Sequence, residues 1–124
     1  MRLRLVNNRL VPNAMEPRAA RGVWDPATGR LLLETVNQMP TSARQQLADA
    51  VLKIPVDRIR VLVPDIGGGF GLKTHLQPEE ALVAVAARRF GRAVKWRSTR
   101  SESVLRPRRM RYESCGPGTP PMAF

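Results

Sequence analysis

Apolar and polar positions alternate with period two over "EPRAARGVWD", residues 16–25, and "LLLETVNQ", residues 31–38, follows as a second strand-like run. Alternation sends successive side chains to opposite faces, so the first stretch predicts a strand, and the second reads as another. Between them "DPATGR" carries Pro26 after Asp25 and Gly29 three residues on, which predicts a tight turn and makes the pair a hairpin. In "TSARQQLADAVLK", residues 41–53, Ala43, Leu47, Val51 and Leu52 recur at helical spacing, Thr41 or Ser42 can cap the start, and Pro55 ends the element. "DRIRVLVPDI", residues 57–66, sets Ile59, Val61 and Val63 against Arg58, Arg60 and Leu62 and predicts a third strand. "QPEEALVAVAARRFG", residues 77–91, predicts a second helix: Pro78 suits its first turn, Glu79 and Glu80 the positive end of its dipole, Arg88 and Arg89 the negative end, and Gly91 its terminus. Alanines 81, 84, 86 and 87 suit close packing on a sheet. "AVKWRSTR", residues 93–100, predicts a fourth strand, and residues 1–12 alternate weakly enough for one more short strand. The order β-β-α-β-α-β is an α+β arrangement with α/β-like layers, in which each helix can cross between neighbouring strands. Residues 1–105 form the structured part; from Arg106 dense Pro, Arg and Gly without periodicity predict a disordered tail over 106–124.

Composition changes this picture at two points. The chain has 124 residues, the length of one domain, and a formal net charge of +11. A basic excess raises nucleic-acid binding. However, all cations but Lys53, Lys73 and Lys95 are arginines spread along the chain, and only 5% of residues are aromatic, leaving few to stack on bases. A small basic nucleic-acid-binding module therefore stands as an alternative, with a non-functional truncated gene product beside it. A single cysteine, Cys115, forms no internal disulfide. No apolar signal-peptide core opens the chain and no run approaches a membrane span, so the expected location is cytoplasmic. His75, the one histidine, stands without neighbours that would make a metal cluster and is expected on the surface.

The remaining chemistry lies in "VPDIGGGFGLK", residues 63–73, between the third strand and the second helix. A dinucleotide fingerprint requires Gly-x-Gly-x-x-Gly; from Gly67-x-Gly69 the third glycine would fall on Leu72. A P-loop requires Gly-Lys, and Leu72 separates Gly71 from Lys73. Two readings stay open: a strand-to-helix turn, and a backbone surface whose amides face a large planar or anionic group with Phe70 as a flat wall.

"IRVLVPDIGGGFGLK", then "EEALVAVAARRFGRAVKW", then "RSTRSES", with "NRLVPNAMEPRAARGVWDPATGRLLL" upstream, resembles the molybdopterin-binding large subunit of the molybdenum hydroxylases (xanthine dehydrogenase, aldehyde oxidase, aerobic carbon monoxide dehydrogenase), and in texture the carbon monoxide dehydrogenase branch most. The resemblance covers roughly residues 7–105. It implies that the chain is a fragment of a molybdenum-dependent oxidoreductase, with Gly68, Gly69, Phe70 and Gly71 beside the cofactor. It also implies that Gln38 in "TVNQMP" donates a hydrogen bond near the metal's oxo group; the plain alternative for Gln38 is a polar strand end. The implied cofactor is molybdenum–molybdopterin, in its cytosine dinucleotide form, with iron–sulfur and FAD on partner subunits. The implied partners are the rest of the large subunit, an iron–sulfur subunit, a flavin subunit and a small-molecule substrate. No catalytic residue and no direct metal ligand are expected in this chain, because the family's general-base glutamate lies downstream of this region. The fragment is expected to be inactive alone, and the tail after "RSES" reads as a truncated or frameshifted continuation. Glu16 in "MEPR" also matches the family, with an ion pair to Arg18 or another arginine as its plain reading; Lys73, Glu79 and Glu80 read as loop and helix anchors, and Arg100 with Glu102 as a local ion pair.

Overall fold

The computed structural model describes residues 12–105; the strand expected near the N-terminus and the tail expected from Arg106 lie outside them. β1 (Ala19–Asp25) and β2 (Arg30–Thr35) form the expected antiparallel hairpin. At its turn the Thr28 hydroxyl and the Ala27 amide donate to the Asp25 carboxylate and hold its pKa below the usual range. A helix follows, α1 (Pro40–Gln46), which widens into a π-helical segment over Leu47–Leu52 and stops at Lys53 in the left-handed region. A 3-10 turn leads into β3 (Ile59–Leu62), which pairs parallel with β2. α2 (Pro78–Phe90), β4 (Val94–Arg97) and α3 (Arg100–Leu105) complete the described chain.

The four strands form one sheet in the order β3-β2-β1-β4. α1 crosses between neighbouring strands, as expected. α2 does not: it carries the chain from one edge of the sheet to the other, because the hairpin fills the centre and β4 pairs antiparallel with the free side of β1. Register places Ala20, Gly22 and Trp24 of β1 opposite Thr35, Leu33 and Leu31 of β2, on one face. On that face Ala20, Leu31, Leu33 and Ile59 join Leu47, Ala48, Leu52, Val83 and Ala84 in a single buried cluster. A Cβ on Gly22 would meet the Val83 carbonyl oxygen at 3.0 Å and Ala87 Cβ at 3.2 Å, so the glycine and the small residues of α2 set how closely helix and sheet approach. Arg88 ties the two helical segments together, donating to the Leu52 carbonyl at 2.9 Å while its guanidinium lies 5.3 Å from the Trp24 ring centre.

Three expected boundaries differ. β2 ends at Thr35 and β3 at Leu62, because the segments beyond them leave the sheet to build the loop region described next. α3 stands where a strand was expected to run to Arg100 and chain without an element to follow it. It is started by Thr99 and Glu102: the Glu102 amide donates to Thr99 Oγ1 at 3.2 Å, and the Thr99 amide donates to Glu102 Oε2 at 2.7 Å. The Thr99 backbone and hydroxyl donors hold the Glu102 pKa below the usual carboxylate range.

Candidate functional site

Beyond β3 the glycine loop folds back on two other segments, a strap formed by residues 13–16 and the turn after β2. The Gln38 amide N–H donates to the Lys73 carbonyl at 2.7 Å, and the Lys73 amide N–H donates to Gln38 Oε1 at 3.3 Å. A backbone N–H can only donate, so this bond identifies the inward end of the Gln38 side chain as its oxygen and turns Nε2 the other way. Nε2 makes no hydrogen bond with a described residue. A Cβ on Gly69 would lie 2.3 Å from Gln38 Cδ, so the Gln38 amide rests directly on the glycine. Gln38 and the loop, far apart in sequence, are thus brought together.

The loop backbone supplies donors of its own. Leu72 N donates to the Gly69 carbonyl at 2.8 Å and closes a turn, and the Thr74 hydroxyl donates to the Gly71 carbonyl at 3.1 Å. The amides of Gly68, Gly69, Phe70 and Gly71 make no hydrogen bond with a described residue. Gly68 and Gly71 have φ of 96° and 76°, and Phe70 holds φ at 47°, a left-handed value uncommon for a bulky residue. Phe70 is 64% exposed. Met15 in the strap and Met39 beside Gln38 are also exposed, so three large apolar side chains flank one loop.

The entry to the loop is held by a charged pair. Glu16 N donates to the Gly67 carbonyl at 3.1 Å, and Gly67 N donates to Glu16 Oε2 at 2.9 Å. Lys73 Nζ lies 3.1 Å from the same Oε2 and 3.2 Å from the Glu16 carbonyl oxygen. Lys73 is 3% exposed, an unusual placement for a lysine without a partner. Beside it lies a cavity of about 30 Å³, lined by Asn13, Ala14, Arg18, Leu72 and Ser103 among others. Glu16 therefore pairs with Lys73, not with an arginine, because the strap crosses the loop and not the arginine-bearing strands. Arg100 does not pair with Glu102 either; its guanidinium donates to Asn13 Oδ1 at 3.2 Å and to the Ala14 and Met15 carbonyls, holding the strap from its other side.

A buried polar cluster fixes the turn that carries Gln38. Glu80 Oε1 accepts from the Thr35 hydroxyl, and its Oε2 accepts from Asn37 Nδ2 at 3.4 Å and Gln77 N at 2.8 Å. Asn37 Oδ1 accepts from Met39 N at 2.8 Å, which bends the chain out of β2 just where Gln38 must reach the loop. Lys73 and Glu80 act as anchors, as the sequence suggests. His75 is exposed and takes part through its carbonyl, which accepts from Asn37 Nδ2 at 3.1 Å. Among the described residues no group of three His, Cys, Asp or Glu side chains could hold a metal. The side chains missing at Gly67 and Gly69 make room for Glu16 and Gln38.

A sequence profile of the molybdopterin cofactor-binding domain matches residues 1–113. The aldehyde oxidoreductase molybdenum-binding subunit PaoC of Escherichia coli (strain K12) is 48% identical over 82 residues, 66% of this chain and 11% of that protein. The carbon monoxide dehydrogenase large chain of Hydrogenophaga pseudoflava is 33% identical over 96 residues, 77% of this chain and 12% of that protein. Among solved structures, quinoline 2-oxidoreductase from Pseudomonas putida 86 superposes with a TM-score of 0.70 and 44% identity, over 73% of this chain and 11% of that one. The chain thus spans about a tenth of the length of these relatives.

Proposed function

We propose, on the premise that this chain belongs to the molybdopterin cofactor-binding domain family, that it forms one wall of a molybdenum–pterin site in the large subunit of an oxidoreductase. The observation that carries the reading is the placement of Gln38: its oxygen is taken by Lys73 N–H, leaving Nε2 beside the unengaged amides of Gly68 to Gly71. Neutral donors in a row suit an oxygen-rich, anionic cofactor, because they supply hydrogen bonds to it without placing a full charge against it. When bound, the cofactor supplies the redox and Lewis-acid chemistry. Gln38 donates toward it from Nε2, the loop backbone orients it, and Phe70 with Met15 and Met39 offers an apolar border that keeps water from its flank.

On the same reading the cofactor is the cytosine dinucleotide form, and the rest of the large subunit supplies the general base and the other walls. Iron–sulfur and flavin subunits pass the electrons on, and the assembly works in the cytoplasm. The substrate is an aldehyde, a purine-like heterocycle or carbon monoxide, and the 124-residue chain alone is inactive.

A chimera tests the reading. Residues 12–105 replace the matching segment of the Escherichia coli aldehyde oxidoreductase subunit, and the purified protein is assayed for molybdenum, pterin and turnover. The chimera is expected to retain its cofactor. Gln38→Ala in it is expected to lower kcat by roughly a hundred- to a thousandfold, the size of effect seen when one preorganised donor is removed. A chimera that keeps full turnover with Gln38→Ala would overturn the assignment of the amide. The isolated chain is expected to reduce no dye with aldehydes, purines or carbon monoxide.

A further inference from the structure

We infer that Lys73 is a positioning residue of this site and Glu16 its counter-charge: together they form a buried latch that decides which way the Gln38 amide faces. The inference rests on the reading of Gln38 given above only for what Nε2 meets; the latch itself concerns this chain alone. Lys73 reaches Gln38 twice through its backbone, accepting from Gln38 N at 2.7 Å and donating to Oε1 at 3.3 Å. Nothing in those two bonds requires a lysine, since any residue except proline could make them. The side chain explains the choice. It runs inward to an ammonium that donates to the Glu16 carbonyl and to Glu16 Oε2, while that same Oε2 accepts the Gly67 amide.

One carboxylate oxygen therefore joins the start of the loop, Gly67, to its end, Lys73. The loop between them is strained at Phe70 and makes few bonds of its own, so its ends must be held from outside. With the ends held, Lys73 N–H sits where it selects the oxygen of Gln38, and Nε2 is the end presented outward. Without the latch, the Gln38 amide loses its fixed partner and can present either end. Glu16 keeps its side chain 32% exposed while that of Lys73 is 4% exposed, so the carboxylate remains partly hydrated and the ammonium depends on it.

The test uses the full chain without cofactor, with 15N NMR and amide hydrogen exchange on Lys73→Met and Glu16→Ala. Lys73→Met keeps the apolar stem and removes the ammonium; Glu16→Ala keeps the Cβ that packs on Gly67 and removes the carboxylate. Both variants are expected to speed exchange at Gly67, Leu72 and Lys73 by about tenfold or more while β1 and α2 amides keep their rates, as in a local opening. Both are expected to shift the Gln38 side-chain NH2 signals toward those of a free glutamine. The double variant is expected to exchange no faster than Glu16→Ala alone, because both changes break one device. Unmoved Gln38 signals, acceleration shared evenly by loop and core in both variants, or additive effects in the double variant would overturn the latch. A chimera indifferent to Gln38→Ala, with these exchange results intact, would sink the functional reading and leave the latch standing.

Discussion

Gln38 shows how much a single residue can hide from its own sequence. In "TVNQMP" it is a polar residue after a strand, and nothing local distinguishes it from other such residues. Its role comes from Gly69, 31 positions on, whose missing side chain is the space the amide occupies. Gly69→Val is therefore expected to expel the Gln38 amide and to destabilise the protein by about 1–3 kcal/mol, the usual cost of overfilling a packed site. A urea midpoint lowered accordingly, with displaced Gln38 NH2 signals, checks it; an unchanged midpoint would show that the amide moves aside freely. The glycine run was visible at once, and its failure to match either nucleotide motif was legible from the place of Leu72. What could not be read was that Gly67 and Gly69 serve protein side chains, since the sequence holds no record of which atoms approach a backbone from outside.

Elements were more legible than sites. The hairpin, both longer helices and the central part of every strand followed from periodicity, because period two and period 3.6 report directly on which face is buried. Boundaries went astray where tertiary bonds outcompete local signals: Asn37 and Glu80 draw the chain out of β2, although "LLLETVNQ" reads as a strand to its end. Glu80 links the end of β2 to the first turn of α2 with both carboxylate oxygens accepting. Glu80→Gln is expected to cost about 1–3 kcal/mol, since one acceptor becomes an NH2 group facing buried donors. Chemical denaturation measures the loss, and exchange at the start of α2 should rise more than at its end. α3 was missed although Thr99 and Glu102 carry its starting signal, because an apparent strand ran through Thr99 to Arg100. The arginines behind the positive charge also acquire individual tasks at this scale: Arg44 donates to the Val56 carbonyl at 3.0 and 2.7 Å, Arg88 to Leu52, and Arg100 to the strap.

At the scale of the whole molecule, the described residues cover only one face of their sheet with helices. The outer side of α2 exposes Leu82, Val85 and Phe90 at 67%, 40% and 65%. A groove of about 810 Å³ lined by Val23, Leu32, Arg30, Arg58 and Arg60, together with Pro40, Thr41 and Arg44 of α1, opens beside the sheet. Surfaces of this kind belong against other protein, and we propose that the rest of the large subunit covers them. The chain on its own is then expected to self-associate as its concentration rises, and Leu82→Lys with Phe90→Lys to suppress this. Sedimentation velocity distinguishes the two; a parent chain that stays monomeric throughout would remove the argument from α2.

Local pattern alone determined the kinds and order of the elements up to β4, the apolar face of α1 and of β3, and the presence of an unusual glycine loop, because these depend on residues close together in the chain. Only the tertiary structure decided that α2 joins opposite sheet edges, that Glu16 meets Lys73 and that Gln38 lies on Gly69. Each of those is a contact across tens of residues, made by the way the sheet folds the chain back on itself, and it becomes visible only when distance is measured in space.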